Sequence, residues 1–128
     1  MAKIFIVEDN NELNRMYARA FALNGHEVLT AEDGEDALNQ LMAMSIPPDI
    51  ILLDAMLPKL DGMSLLIRIR AEHALMKIPV IILTNSIRED ARSQYLDRGA
   101  NGFLIKMNTD VEEVVRQAMA LVTPTAHA

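Results

Sequence analysis

Five residues, Glu8, Asp9, Asp54, Thr84 and Lys106, each end or interrupt a short apolar run in which they have no packing role of their own. If the chain brings those run ends together, three carboxylates meet, and such a cluster repels itself unless one member protonates or a cation neutralises it. Oxygen-only ligands suit a hard ion, and Mg²⁺ in particular takes one or two carboxylates, several waters and a phosphate oxygen. Lys106 adds a second positive charge and Thr84 a hydroxyl donor. A carboxylate surrounded by a hard cation, an ammonium and a hydroxyl is built to stabilise a transferring phosphoryl group. Asp54 is the central carboxylate and therefore the expected nucleophile. Taken singly, each residue has a simpler reading: Glu8 and Asp9 with Asn10 as first-turn acids and cap of a helix, Asp54 as a loop cap, Thr84 as a strand end, Lys106 as a solvated surface charge. Four separate run ends supplying complementary chemistry together are far less readily explained one by one.

The runs have the character of strands buried on both faces: Lys3–Val7, Asp49–Leu53, Pro79–Leu83 and Gly102–Ile105 are rich in Ile, Val, Leu or Phe. A more mixed run, Glu27–Ala31, predicts an edge strand. Between them lie helical patterns. Leu13, Met16, Tyr17, Ala20 and Phe21 share one face, and Asn24-Gly25 supplies a helix stop. Leu38, Leu41 and Met42 mark a second helix, and Leu65, Leu66 and Ile69 a third. Val111, Val114, Val115, Ala118 and Val122 mark the last, with Thr109 and Glu112 as a capping box. The segment Ile87–Leu96 has a thin apolar stripe of Ile87, Ala91 and Tyr95, with Ser86 and Glu89 as its capping box; a helix with so poor a buried face is weakly held. Five strand-then-helix repeats imply a doubly wound α/β sandwich of three layers around a parallel five-stranded sheet, order 2-1-3-4-5, with the ligand site at the carboxyl ends of the strands. Residues 1–122 form the expected domain, and 123–128 a frayed tail.

Composition narrows the function classes. The 128 residues carry a net charge of −6 with no basic cluster, which disfavours direct binding to nucleic acid or anionic membrane. No apolar run approaches the ~18 residues that span a bilayer. The start MAKIFIVED leads straight into a strand with no signal-peptide pattern, and there is no cysteine, so a cytoplasmic protein is expected. The three histidines, at 26, 73 and 127, fit surface or packing roles, and the nine methionines read as core filler. An aspartyl phosphatase would want a second acid two residues after Asp54, where Met56 stands. A flavin or nucleotide site would want a Gly- or Ser/Thr-rich loop after the first strand, where the chain has Glu-Asp-Asn-Asn-Glu.

The segments IFIVEDN, EDGEDAL, DIILLDAMLPKLDG, IPVIILTN and GANGFLIK together resemble the receiver domain of bacterial response regulators, from Lys3 to about Val122. The resemblance implies a flavodoxin-like (βα)5 fold and a phosphoacceptor switch in a two-component or phosphorelay system rather than an enzyme acting on a separate substrate. It assigns Asp54 as phosphoacceptor and Mg²⁺, with Mn²⁺ as an alternative, to Asp9 directly, Glu8 through water, Asp54 itself, and the Met56 backbone carbonyl. Thr84 would swing towards the phosphoryl group, Lys106 would pair with it, and Phe103 sits where the family places an aromatic that turns inward on activation. Pro58 and Gly62 match the residues that shape the loop behind the acceptor. The positions flanking the path of a hydrolytic water are Met56 and Ser86, neither suited to hold that water, which implies a long-lived phosphorylated form. Two positions depart from the pattern: Met107 follows Lys106 where the family usually has proline, and Asn85, which narrows access or adds an amide donor, follows Thr84 where it usually has a very small residue. The implied partners are a sensor histidine kinase or histidine phosphotransfer protein upstream and, with no DNA-binding segment after Val122, a protein downstream. That downstream partner would sit on the face formed by residues 86–96, 101–105 and 110–122. A receiver-like scaffold acting without phosphorylation is the alternative.

Overall fold

In each central strand alternate side chains belong to two different cores, which is why the runs are apolar throughout rather than alternating. The computed structural model describes residues 1–85 and 88–122. The chain runs β1 (Lys3–Val7), α1 (Asn11–Leu23), β2 (Glu27–Ala31), α2 (Gly34–Ala43), β3 (Ile50–Asp54), α3 (Gly62–Ala71), β4 (Val80–Thr84), α4 (Glu89–Asp97), β5 (Gly102–Ile105) and α5 (Val111–Leu121), with a short 3₁₀ turn at Lys106–Asn108. The five strands form one parallel sheet in the order β2-β1-β3-β4-β5. This is the expected doubly wound sandwich. Ile4, Ile6, Ile50, Leu52, Ile81 and Leu83 pack with Tyr17 and Phe21 of α1 and Val114 and Ala118 of α5. Phe5, Val7, Ile51, Leu53, Val80 and Ile82 pack on the other side with α2, α3 and α4. Burial of a Leu, Ile or Phe side chain contributes roughly 1.5–3 kcal/mol, so these two layers are the main favourable term holding the strand ends in place. Among the described residues no helix is long and apolar enough to cross a membrane.

Several details differ from the sequence reading. β3 begins at Ile50 and reaches Asp54; the Asp49 carboxylate instead accepts the Lys3 N–H at 2.7 Å. β4 begins at Val80 and includes Thr84, since Pro79 has no N–H to offer a ladder, although its carbonyl accepts from Ile51. Met16 and Met42 are exposed, not core. On α1 the inward position is taken by Asn14. α5 is capped by Asp110, which accepts the Glu113 N–H at 2.9 Å, while the Thr109 hydroxyl donates back to the Ile105 carbonyl. The Thr109–Glu112 capping box therefore does not form: the helix starts one residue later than that pairing requires. α4 starts at Glu89 with Arg88 at its cap and no side-chain capping bond; Ser86 and Ile87 lie outside the described residues, as does the tail 123–128. The thin stripe of α4 holds: Ala91 is buried and Tyr95 half-buried.

At the end of the sandwich away from the candidate site, Arg70 joins three segments. Its guanidinium donates to the Gly99 carbonyl and to Asn101 Oδ1, and the same Oδ1 accepts the Val80 N–H. Burial pushes the Arg70 guanidinium below its ordinary range. His26 plays the packing role expected of it, accepting the Ala2 N–H on Nδ1 and lying edge-on to Phe21.

Candidate functional site

Because β1, β3, β4 and β5 are parallel neighbours, their carboxyl ends deliver Glu8, Asp54, Thr84 and Lys106 to one edge of the sheet. Asp54 is 3% exposed and Glu8 fully buried. Lys106 reaches between them, with Nζ 2.7 Å from Glu8 Oε1 and 3.1 Å from Asp54 Oδ2. Asp54 Oδ1 accepts the Met56 N–H at 3.1 Å. Burial pushes the Asp54 carboxyl up to about 7; the nearby Glu8 carboxylate adds to the rise, and the Met56 N–H and the Lys106 charge oppose it. Burial alone would lower the Lys106 ammonium, but its contacts with Glu8 and Asp54 outweigh that and hold it above its ordinary range.

Carboxylate oxygens of Glu8, Asp9 and Asp54 all lie within 4.8 Å of one another. Three acids against one lysine leave excess negative charge in a partly buried cleft, and the donors are all oxygen. That set fits a hard divalent cation. The three are not equivalent. Asp9 is exposed and open to an incoming ion. Glu8 is fully buried: its Oε2 accepts the Asn10 N–H at 3.1 Å, while its Oε1 lies 2.7 Å from Lys106 Nζ without a well-aligned hydrogen bond. The helix-cap role belongs to Asn10, whose Oδ1 accepts the Leu13 N–H, and not to the two acids before it.

Thr84 is buried at the end of β4, paired in register with Ile105. Next to it, Asn85 Oδ1 accepts the Met107 N–H at 3.1 Å. The chain after Lys106 has trans peptide bonds and winds into the 3₁₀ turn. Phe103 is buried against Tyr95 of α4, ring centroids 5.9 Å apart. The Met56 side chain is exposed beside Asp54. Ser86 lies outside the described residues.

Two residues near the site escape sequence reasoning. The buried Asn14 carboxamide donates to the carbonyls of Glu8 at 2.9 Å and Ala31 at 3.3 Å, clamping the loop that carries Asp9. Tyr17 is buried close enough to the charged group to feel it: burial raises its phenol, Lys106 lowers it, and Glu8 and Asp54 raise it further. An asparagine in the middle of an otherwise apolar helix face was the one available signal for Asn14; Tyr17 was legible as part of the apolar face of α1 but not as a neighbour of the charged group.

The model of the response regulator receiver domain matches residues 4–118. The transcriptional regulatory protein CpxR of Escherichia coli is 39% identical over 116 residues, 91% of this chain and 47% of that protein. The chain spans about half the length of this and other curated transcriptional regulators that it matches. The phosphorylated cyanobacterial phytochrome response regulator RcpA superposes with a TM-score of 0.79 at 36% identity, covering 91% of this chain and 87% of that one. The Mn(2+)-bound form of response regulator Rcp1 superposes with a TM-score of 0.80 at 28% identity, covering 94% and 91%. With the sheet order, the acidic cleft and the family match in agreement, the chain belongs to the response regulator receiver domains.

Proposed function

We propose that the protein is a cytoplasmic phosphoacceptor switch that takes a phosphoryl group onto Asp54 from a histidine kinase or a histidine phosphotransfer protein. The single observation that carries this is the Lys106 ammonium seated between Asp54 and Glu8 at the mouth of an acidic cleft. Asp54 Oδ2 attacks phosphorus, the bond to the donor breaks in line, and the donor leaves with its electron pair. Lys106 and Thr84 then face the oxygens of the new acyl phosphate. Asp9 and Asp54, with Glu8 behind them and the Met56 carbonyl beside them, would hold Mg²⁺ or Mn²⁺. The bound ion supplies counter-charge to the phosphoryl oxygens. The similarity to a phosphorylated regulator and to a Mn(2+)-bound one supports this reading. The protein would promote its own phosphorylation and slow dephosphorylation and act on no separate substrate.

The experiment is incubation with acetyl phosphate and Mg²⁺. One added phosphoryl mass is expected, and none after chelation of the metal. No adduct under either condition would favour the alternative, a receiver-like scaffold that works without phosphorylation.

The output is proposed to pass through α4, β5 and α5, that is, the face of residues 86–96, 101–105 and 110–122. Asn85, Thr84 and Phe103 link the site to that face, Phe103 through its packing on Tyr95. Phosphorylation would shift an equilibrium between two arrangements of this region, because Thr84 and Lys106 gain contacts only when the phosphoryl group is present.

The exposed Met56 side chain offers no hydrogen bond to a water approaching in line, so the phosphorylated form should be long-lived. Met56→Asn is expected to speed hydrolysis severalfold by orienting that water. The measurement is decay of the phosphorylated protein after donor removal; equal or slower decay in the variant would show that position 56 does not govern water.

A further inference from the structure

We infer that Asn85 is a positioning residue for phosphoryl transfer, because its side chain carries the β4–β5 connection one step beyond the sheet. The inference rests on Asp54 being the phosphoacceptor. The register of β4 and β5 ends at Thr84 opposite Ile105. Past that pair the backbone of 106–108 coils into a 3₁₀ turn and can no longer offer a strand edge. An N–H near the start of such a turn has no partner within it. Asn85 Oδ1 supplies one, accepting the Met107 N–H at 3.1 Å.

The consequence falls on Lys106. Its neighbour on one side, Ile105, is fixed by the ladder and by the Thr109 hydroxyl on its carbonyl. Its neighbour on the other side, Met107, is 71% exposed and so is not held by burial. The turn's own closing bond, Thr109 N–H to the Lys106 carbonyl, is long at 3.4 Å. The Asn85 bond is therefore what fixes the far side of Lys106. A lysine whose Nζ must meet Glu8 at 2.7 Å and Asp54 at 3.1 Å depends on where its backbone leaves the sheet. The same bond ties the residue after Thr84 to the residue after Lys106, so the two groups that face the phosphoryl oxygens are held at a fixed spacing. The device needs an acceptor at 85 and an N–H at 107. It is indifferent to the side chain at 107, but proline there would abolish it.

The test is a double-mutant cycle read by phosphorylation with acetyl phosphate at saturating Mg²⁺. Asn85→Ala and Met107→Pro should each slow phosphorylation by about three- to tenfold, as expected for a misplaced catalytic group. The double variant should be no slower than the slower single one. Met107→Ala, which keeps the N–H, should match the parent. Mg²⁺ affinity should stay within about twofold throughout, whereas general loosening of the site would lower it together with the rate. Independently, the Met107 amide should be protected from hydrogen exchange in the parent and lose that protection in Asn85→Ala, so the bridge is testable even if Met107→Pro fails to fold. Parental or faster phosphorylation in Asn85→Ala, losses that multiply in the double variant, or an unprotected Met107 amide in the parent would overturn the proposal. A parent that takes up no phosphoryl group, while Asn85→Ala still frees the Met107 amide, would instead overturn the phosphoacceptor reading. The positioning role would fall with it, leaving only the bridge.

Discussion

Asp54→Asn is expected to abolish phosphorylation by acetyl phosphate and, at the same time, to make the protein more stable. The first effect follows from removing the proposed nucleophile while keeping its size. The second follows from the environment. Asp54 is almost wholly buried beside another carboxylate, and its carboxyl is pushed from 3.8 up to about 7. A folded-state value above the unfolded one means that the folded protein binds the proton more tightly, so this group costs stability as pH rises from about 4 to about 7 and the full cost is present above that. Asparagine never ionises and carries no such cost. At pH 8 the variant should gain up to about 4 kcal/mol, a rise of several degrees or more in Tm; at pH 4 parent and variant should converge. Thermal melts across that range, with chelator present, measure it. A variant less stable than the parent at pH 8 would mean that Lys106 compensates the buried charge in full.

Gly34→Ala should cost more than any other single methyl group added to the chain. A Cβ at position 34 would lie 1.7 Å from the backbone carbonyl oxygen of Leu60, so α2 and the loop after β3 cannot both keep their places. Gly62 is similar, with a Cβ 2.6 Å from the carbonyl oxygen of Asp54 itself. Overpacking against backbone cannot be relieved by a rotamer change, and a loss above about 3 kcal/mol is expected for Gly34→Ala. Gly62→Ala should lose somewhat less stability but also disturb Asp54, slowing phosphorylation in whatever fraction stays folded. Denaturant melts and phosphorylation rates on both variants check this; near-parental stability for Gly34→Ala would show that the 57–61 loop yields freely.

The positions of these two glycines illustrate what the sequence could disclose. The five strands, the helix order and the convergence of Glu8, Asp9, Asp54, Thr84 and Lys106 follow from hydrophobic period and the rules of parallel sheets, which act on residue types alone. Side-chain bonds between distant loops do not. Asn14 sits where a helix stripe should be apolar, and only the fold reveals that its two donors meet the carbonyls of Glu8 and Ala31. Met16 and Met42 fit the stripe by type yet are exposed, because neighbouring inward positions already fill the space. Asp110 took the capping role assigned to Thr109 because the 3₁₀ turn before α5 shifts the helix start by one residue and engages the Thr109 hydroxyl. Asn85 and Met107 looked like two unrelated departures, and spatial proximity joins them in one hydrogen bond.

The sparse anchoring of α4 has a consequence for how this chain can change over generations. Among its described side chains only Ala91 is buried, while Asp90, Arg92, Ser93, Gln94 and Asp97 are exposed. Exposed substitutions away from caps and buried networks usually alter stability by no more than about 0.5 kcal/mol. The outer surface of α4 can therefore be rewritten almost letter by letter without taxing the fold, whereas the acidic cleft is locked to buried strand ends. If α4 carries the output as proposed, recognition and chemistry lie in separable parts of the sequence, and a duplicated copy could acquire a new address while its acidic cleft stayed the same.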